Sequence, residues 1–187
     1  MSEEPTESGP TLAIFADAAS PGDADYPRLL STAGTLLANA GVQIVCLSEN
    51  GTYCRPLVIA ARAGGAAVTI LSDGSLKTAD FAAGCSIEVL PEADLRFQRM
   101  SEMADAFIGF PAGIVSVRAL FNVWVLAGGG SSGKPVALLN RNRAYEVLRG
   151  YAMDVLSHSL TNSDRLVIFA DTVEDLWNRL ERALARG

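Results

Sequence analysis

The chain has 187 residues, 49% hydrophobic and 19% charged, which describes one ordinary domain with a sizeable core and excludes a disordered chain. Lys and Arg number 15 against 21 Asp and Glu, for a net charge of −6. Glu3, Glu4 and Glu7 supply half of that charge within the first ten residues, so the body carries about −3. A broad basic surface for nucleic acid is therefore excluded. Mean hydropathy is +0.24, yet no membrane span is expected. The longest charge-poor stretch, 106–133, is broken by Pro111, Arg118 and a glycine tract. Cys46, Cys54 and Cys85 are odd in number and unrelated in spacing. They read as free thiols of a reducing compartment, and cytoplasmic localisation is the expectation. Residues 1–10 read as a solvated, disordered acidic tail without the basic and apolar regions of a secretory signal, and 11–187 as a single domain.

Short apolar runs alternate with amphipathic segments along that domain. Residues 11–16 read as a buried strand. Leu29, Leu30, Ala33, Leu36 and Leu37 recur at helical spacing and predict a helix over 26–40, stopped by Gly41. A strand over 42–47, a short helix over 55–63 and a strand over 66–71 follow. Residues 72–85 are irregular, and 86–90 form a short strand. The rhythm then repeats: helix 92–104, strand 106–110, helix 114–127, strand 136–139, helix 144–156, strand 166–169. A last helix opens at Asp171 or Thr172, with Glu174 or Asp175 completing a capping box. Its apolar face is Val173, Leu176, Trp177, Leu180 and Leu184. This alternation predicts an α/β, three-layer, doubly wound fold: a mostly parallel sheet of Rossmann-like kind, with helices on both faces. The helix over 114–127 has almost no polar face. Such a helix must be central or must turn its outer side to another subunit, and a homodimer is the expectation.

Three features invite a functional reading. The tract Gly128-Gly-Gly-Ser-Ser-Gly-Lys134-Pro135 imitates phosphate-binding motifs. Those motifs follow a strand and open a helix, whereas this one follows a helix and precedes a strand, and Pro135 stands where a P-loop needs a hydroxyl. It reads as a connection. His158, the sole histidine, has neither a G-x-S-x-G elbow nor metal-ligand spacing to serve and reads as incidental. No cofactor or metal is called for. The strongest feature is Phe110-Pro111-Ala112-Gly113-Ile114-Val115-Ser116-Val117-Arg118. It runs from a buried strand into a helix, where free amides and the positive helix end favour an anion. Gly113 permits close backbone approach, Ser116 offers a hydroxyl and Arg118 a charge. Open α/β sheets place ligands at this end of their strands. A plain strand-to-helix turn is the competing reading.

The segments Arg96-Phe-Gln-Arg-Met100, Ala104-Asp-Ala-Phe-Ile-Gly-Phe-Pro-Ala-Gly-Ile-Val-Ser116, Trp124 and Lys134-Pro-Val-Ala-Leu-Leu-Asn140 resemble the Lonely Guy (LOG) family, long mislabelled as lysine decarboxylases. The resemblance runs from Ile14 to about Leu156. It implies a Rossmann-like dimer with its site near the subunit interface. It also implies a phosphoribohydrolase, which releases a cytokinin or adenine base from a nucleoside 5′-monophosphate, and not a decarboxylase. Related molybdenum-cofactor carriers bind without that reaction.

Against the family signature P-G-G-x-G-T-x-x-E, this chain reads Pro111, Ala112, Gly113, Ile114, Val115, Ser116, Val117, Arg118, Ala119. Ser116 stands for threonine, Val115 for a glycine and Ala119 for the catalytic glutamate. The family's arginine falls on Arg96, with Phe97 where a lysine follows. Its earlier glycine-rich loop falls on 47–52, where Asn50 and Gly51 are the candidate phosphate contacts. Cleaving an N-glycosidic bond builds positive charge on the ribose, which a carboxylate stabilises while activating water. Loss of such a positioned group costs ~10²–10⁴-fold in rate. Glu49, Asp17 and Glu102 are candidates to replace it. The expectation is a protein that binds a nucleotide or another phosphorylated small molecule against Pro111–Arg118, near a vestigial Arg96. An active phosphoribohydrolase with a relocated carboxylate comes second, and a structural or regulatory subunit third.

Overall fold

The computed structural model describes residues 9–18, 23–77, 84–127, 133–151 and 167–186. The elements in chain order are β1 (Thr11–Phe15), α1 (Tyr26–Asn39), β2 (Gln43–Ser48), α2 (Arg55–Ala63), β3 (Val68–Ser72), β4 (Ser86–Val89), α3 (Ala93–Met103), β5 (Ala106–Gly109), α4 (Ile114–Leu126), β6 (Val136–Leu139), α5 (Glu146–Tyr151), β7 (Val167–Ala170) and α6 (Val173–Leu184). The seven strands form one sheet in the order β4-β3-β2-β1-β5-β6-β7. Every neighbouring pair is parallel. This is the doubly wound α/β fold, and the chain reverses direction across the sheet at β1, between β2 and β5.

Burial explains why the strands carry near-continuous apolar runs: helices cover the sheet on both sides. On one side β1 and β2 send Leu12, Ile14, Ile44 and Cys46 against α1, α2 and α6. On the other, Ala13, Phe15, Val45 and Phe107 meet Phe97, Met100, Leu120 and Val123 from α3 and α4. Helices α1 and α2 touch so closely at Gly34 that a Cβ there would lie 2.2 Å from the Leu57 carbonyl oxygen. Only glycine allows that approach.

The structure adjusts several expectations. Gly9 and Pro10 already belong to the body, since the Pro10 carbonyl accepts from the Gln43 amide at 2.9 Å. Residues 1–8, with the expected acidic tail, lie outside the described residues, as do His158 and residues 128–132 of the glycine tract. That tract does join α4 to β6, and the Lys134 ammonium donates to the Ser101 carbonyl at 2.9 Å. The helix expected over 144–156 begins later. A 3-10 turn at Arg141–Arg143 precedes it, because Asn142 and Arg143 take positive φ angles, and α5 starts at Glu146. On α6 the Thr172 hydroxyl caps the Asp175 amide at 3.2 Å, but the Asp175 carboxylate turns to Arg179 and leaves the reciprocal half of the box unmade.

Helix α4 is an outer helix. Ala119, Leu120, Val123 and Trp124 are buried against the sheet, while Val115, Val125 and Leu126 are 58%, 67% and 54% exposed. Cys46, Cys54 and Cys85 are all free thiols. Among the described residues no helix is long and apolar enough to cross a membrane.

Candidate functional site

A cleft of about 840 Å³ opens where β1, β2 and β5 end. This is the switch point of the sheet, the place where doubly wound folds bind ligands. Three turns build it. The β1 end contributes Ala16, Asp17 and Ala18, the β2 end contributes Glu49, Asn50 and Tyr53, and the β5 end contributes Pro111, Gly113 and Ser116.

The β5 turn is held from behind. Asn140, at the end of β6, is buried; its Oδ1 accepts from the Tyr145 amide at 2.8 Å and its Nδ2 donates to Glu146 at 2.9 Å. This places the Tyr145 hydroxyl so that it donates to the Phe110 carbonyl. Gly109 leaves room for the arrangement, since a Cβ there would lie 2.7 Å from Leu138 and 3.2 Å from the Tyr145 hydroxyl. The chain then enters α4 with Gly113 as extended N-cap. Gly113 supplies no side-chain oxygen, so its amide and the Ser116 hydroxyl point free of their own helix. Both are taken by one group: the Asp17 carboxylate accepts from the Gly113 amide through one oxygen and from the Ser116 hydroxyl through the other. The positive end of α4 thus carries an anion supplied by the chain itself. Tyr26 and Tyr145 are buried beside it. Burial first, and the Asp17 charge second, push both phenols above their ordinary value, so both stay protonated.

The β2 turn is built alike. Asn50 and Gly51 take φ angles of +52° and +72°. The Asn50 amide donates to Asp73 at 2.9 Å and the Gly51 amide to the Ser75 hydroxyl at 2.6 Å. Asp73 also accepts from the Ser75 hydroxyl and amide. These bonds, the Ser75 hydroxyl foremost and the two amides after it, lower the Asp73 carboxyl from 3.8 to about 2, with a smaller contribution from the Arg96 charge.

Arg96 stands behind the wall of the cleft. It is 4% exposed. Its Nη1 donates to the Leu90 and Pro91 carbonyls at 2.7 and 2.8 Å, and its Nη2 to Glu49 at 3.1 Å. Glu49 keeps a third of its side chain exposed. Among the expected contacts, Pro111, Ala112, Gly113, Val115, Ser116 and Asn50 line the cleft; Arg96 and Gly51 do not, Arg118 lies on the exposed flank of α4, and the Ile114 side chain lies outside those described. Ala119 lines the cleft near its buried end. Of the candidate carboxylates, Asp17 and Glu49 face the cleft, while Glu102 sits on α3 against Gln98. No group of side chains suited to a metal occurs among the described residues.

Fold and cleft together define a doubly wound α/β protein with an open cleft at its switch point. The sequence model of the family described as "Possible lysine decarboxylase" matches residues 59–180, and the chain belongs to that family, the LOG family. It is 35% identical over 99 residues to the cytokinin riboside 5′-monophosphate phosphoribohydrolase LOG4 of Arabidopsis thaliana, a match covering 50% of this chain and 46% of that protein. The chain thus spans about half the length of its plant relatives. It is 27% identical over 170 residues to the cytokinin riboside 5′-monophosphate phosphoribohydrolase of Mycobacterium tuberculosis, covering 88% of this chain and 90% of that one. Among solved structures, the Moco carrier protein of Chlamydomonas reinhardtii superposes with a TM-score of 0.68 at 13% identity over 95% of this chain and 99% of that one. The molybdenum cofactor binding protein of Rippkaea orientalis gives 0.63 at 15% identity, covering 92% and 96%. At these identities the likeness is one of fold.

Proposed function

We propose that this chain is a LOG-family protein that binds a nucleotide-derived small molecule in the switch-point cleft and does not hydrolyse it. The observation that carries this reading is Ala119. It lines the cleft from α4 at the position matching the family's catalytic glutamate, and a methyl group neither stabilises a ribosyl cation nor takes a proton from water. Arg96, the vestigial member of the catalytic pair, serves as a buried strut. Cofactor carriage and cofactor binding by the two solved neighbours lend support to a binding role on this fold. The exposed pair Val125 and Leu126 at the end of α4 supports a homodimer formed through that helix, since exposed apolar side chains favour burial against a second copy. Val125→Asp is then expected to shift the chain to monomer in sedimentation.

The test of function is base release. Purified protein is incubated with purine, pyrimidine and cytokinin riboside 5′-monophosphates, and free base is followed by chromatography. The expected result is no release above the uncatalysed rate. Turnover abolished by Glu49→Gln would overturn the reading in favour of an active phosphoribohydrolase. That alternative has its own support: Glu49 faces the cleft, with Arg96 bonded to one of its carboxylate oxygens from behind.

A further inference from the structure

A phosphate bound at the start of α4 would need the Gly113 amide and the Ser116 hydroxyl, and Asp17 already holds both. The remaining lining adds a second carboxylate, Glu49, and among the described residues it contains no lysine, arginine or histidine. Among the described residues the nearby cations are committed or outside. Arg96 is buried behind Glu49, Arg141 lies 3.7 Å from Asp23, and neither Arg118 nor Arg143 lines the cleft. The amides of the β2 turn are likewise taken, by Asp73 and Ser75. What the cleft does present is apolar wall from Ile14, Phe15, Leu47 and Val115, together with carboxylate oxygens that accept.

We propose that Asp17 is a resident anion standing in the phosphate's place, so that the cleft rejects phosphate monoesters and takes an uncharged or cationic ligand with an apolar body and hydrogen-bond donors, of nucleoside or free nucleobase kind. The nucleoside chemistry rests on the binding reading above; the selection against phosphate rests on Asp17. A ligand phosphate at α4 must either displace Asp17 or sit against its charge, and like charges in direct contact repel. An amino or ring N–H group meets acceptors instead.

The experiment measures thermal stabilisation and calorimetric binding of the full chain with adenosine, adenosine 5′-monophosphate and inorganic phosphate. The wild-type chain is expected to bind adenosine and to bind the monophosphate at least about tenfold more weakly, with no stabilisation by inorganic phosphate. Asp17→Ala, which frees the amide and the hydroxyl, is expected to raise affinity for the monophosphate by about tenfold or more, the scale of a charge-assisted hydrogen bond regained. Asp17→Asn, nearly isosteric, should shift it the same way and guards against misfolding of the alanine variant. Three results overturn the proposal: wild-type protein holding the intact monophosphate as tightly as adenosine, wild-type protein binding no nucleoside or base, or Asp17 variants whose preference is unchanged. Intact binding of the monophosphate would leave the non-hydrolytic reading standing, whereas release of base would overturn both.

Discussion

The β2 and β5 turns flank β1 on either side, and both solve the same problem. Each presents a backbone amide at the carboxyl end of a parallel strand, and in each a carboxylate from elsewhere in the chain accepts from it. At β2 the carboxylate is Asp73, from the end of the neighbouring strand β3, and it lies outside the cleft lining. At β5 it is Asp17, from the end of β1, and it lies within the lining. One arrangement braces a wall, and the other occupies the place where a ligand's charge would go. The same bond type therefore carries stability in one turn and selectivity in the other.

Substitutions that touch only the wall should separate these roles. Arg96→Ala should have the largest effect. It strips the Leu90 and Pro91 carbonyls of a buried donor and releases Glu49, at an expected loss of about 3 kcal/mol in chemical denaturation. The preference for adenosine over its monophosphate should nevertheless survive in whatever fraction folds. Gly51→Ala comes next. The left-handed φ at that position disfavours a side chain, and a loss of about 1–2 kcal/mol is expected, with ligand preference again unchanged. The smallest effect is that of pH. Because the folded Asp73 carboxyl is lowered to about 2 from 3.8, its contribution is complete above pH 4 and is lost as pH falls towards 2. Asp73→Asn should flatten the acid limb of the stability curve in that window and leave neutral-pH ligand preference alone. A change of ligand preference in any of these variants would break the division between wall and floor.

The order of strands and helices was legible because each element announces itself locally. Gly41 and Gly64 end helices, and Thr172 starts one. The β runs are apolar throughout because helices cover both faces. Of the site, Asn50, Glu49 and Asp17 were named through the family resemblance and the need for a carboxylate, and the turn Pro111 to Ser116 was legible from its own neighbours, which mark a strand passing into a helix. Its partner Asp17 lies 96 residues away in the chain, and no local pattern links an aspartate after the first strand to a glycine before the fourth helix. Arg96 falls on the family arginine by sequence, but its burial depends on Leu90, Pro91 and Glu49 converging on it, which no local pattern foretells. The 3-10 turn at Arg141–Arg143 was hidden because Asn142 and Arg143 take positive φ, which their residue types permit without requiring.

The position of β1 has a kinetic consequence. It is the first strand of the chain, yet it lies at the centre of the sheet, pairing with β2 on one side and with β5 on the other. Strands β1 to β4 add outward in sequence order, each closing a modest loop. The pairing of Leu12 with Ala106 instead closes one spanning the whole first half of the chain. Loop-closure entropy and high contact order make that step the slow one. Asp17 reaches Gly113 only once it is complete. The cleft therefore forms only after that slow step, and a chain stalled with its two halves apart would keep much of its secondary structure and have no cleft at all.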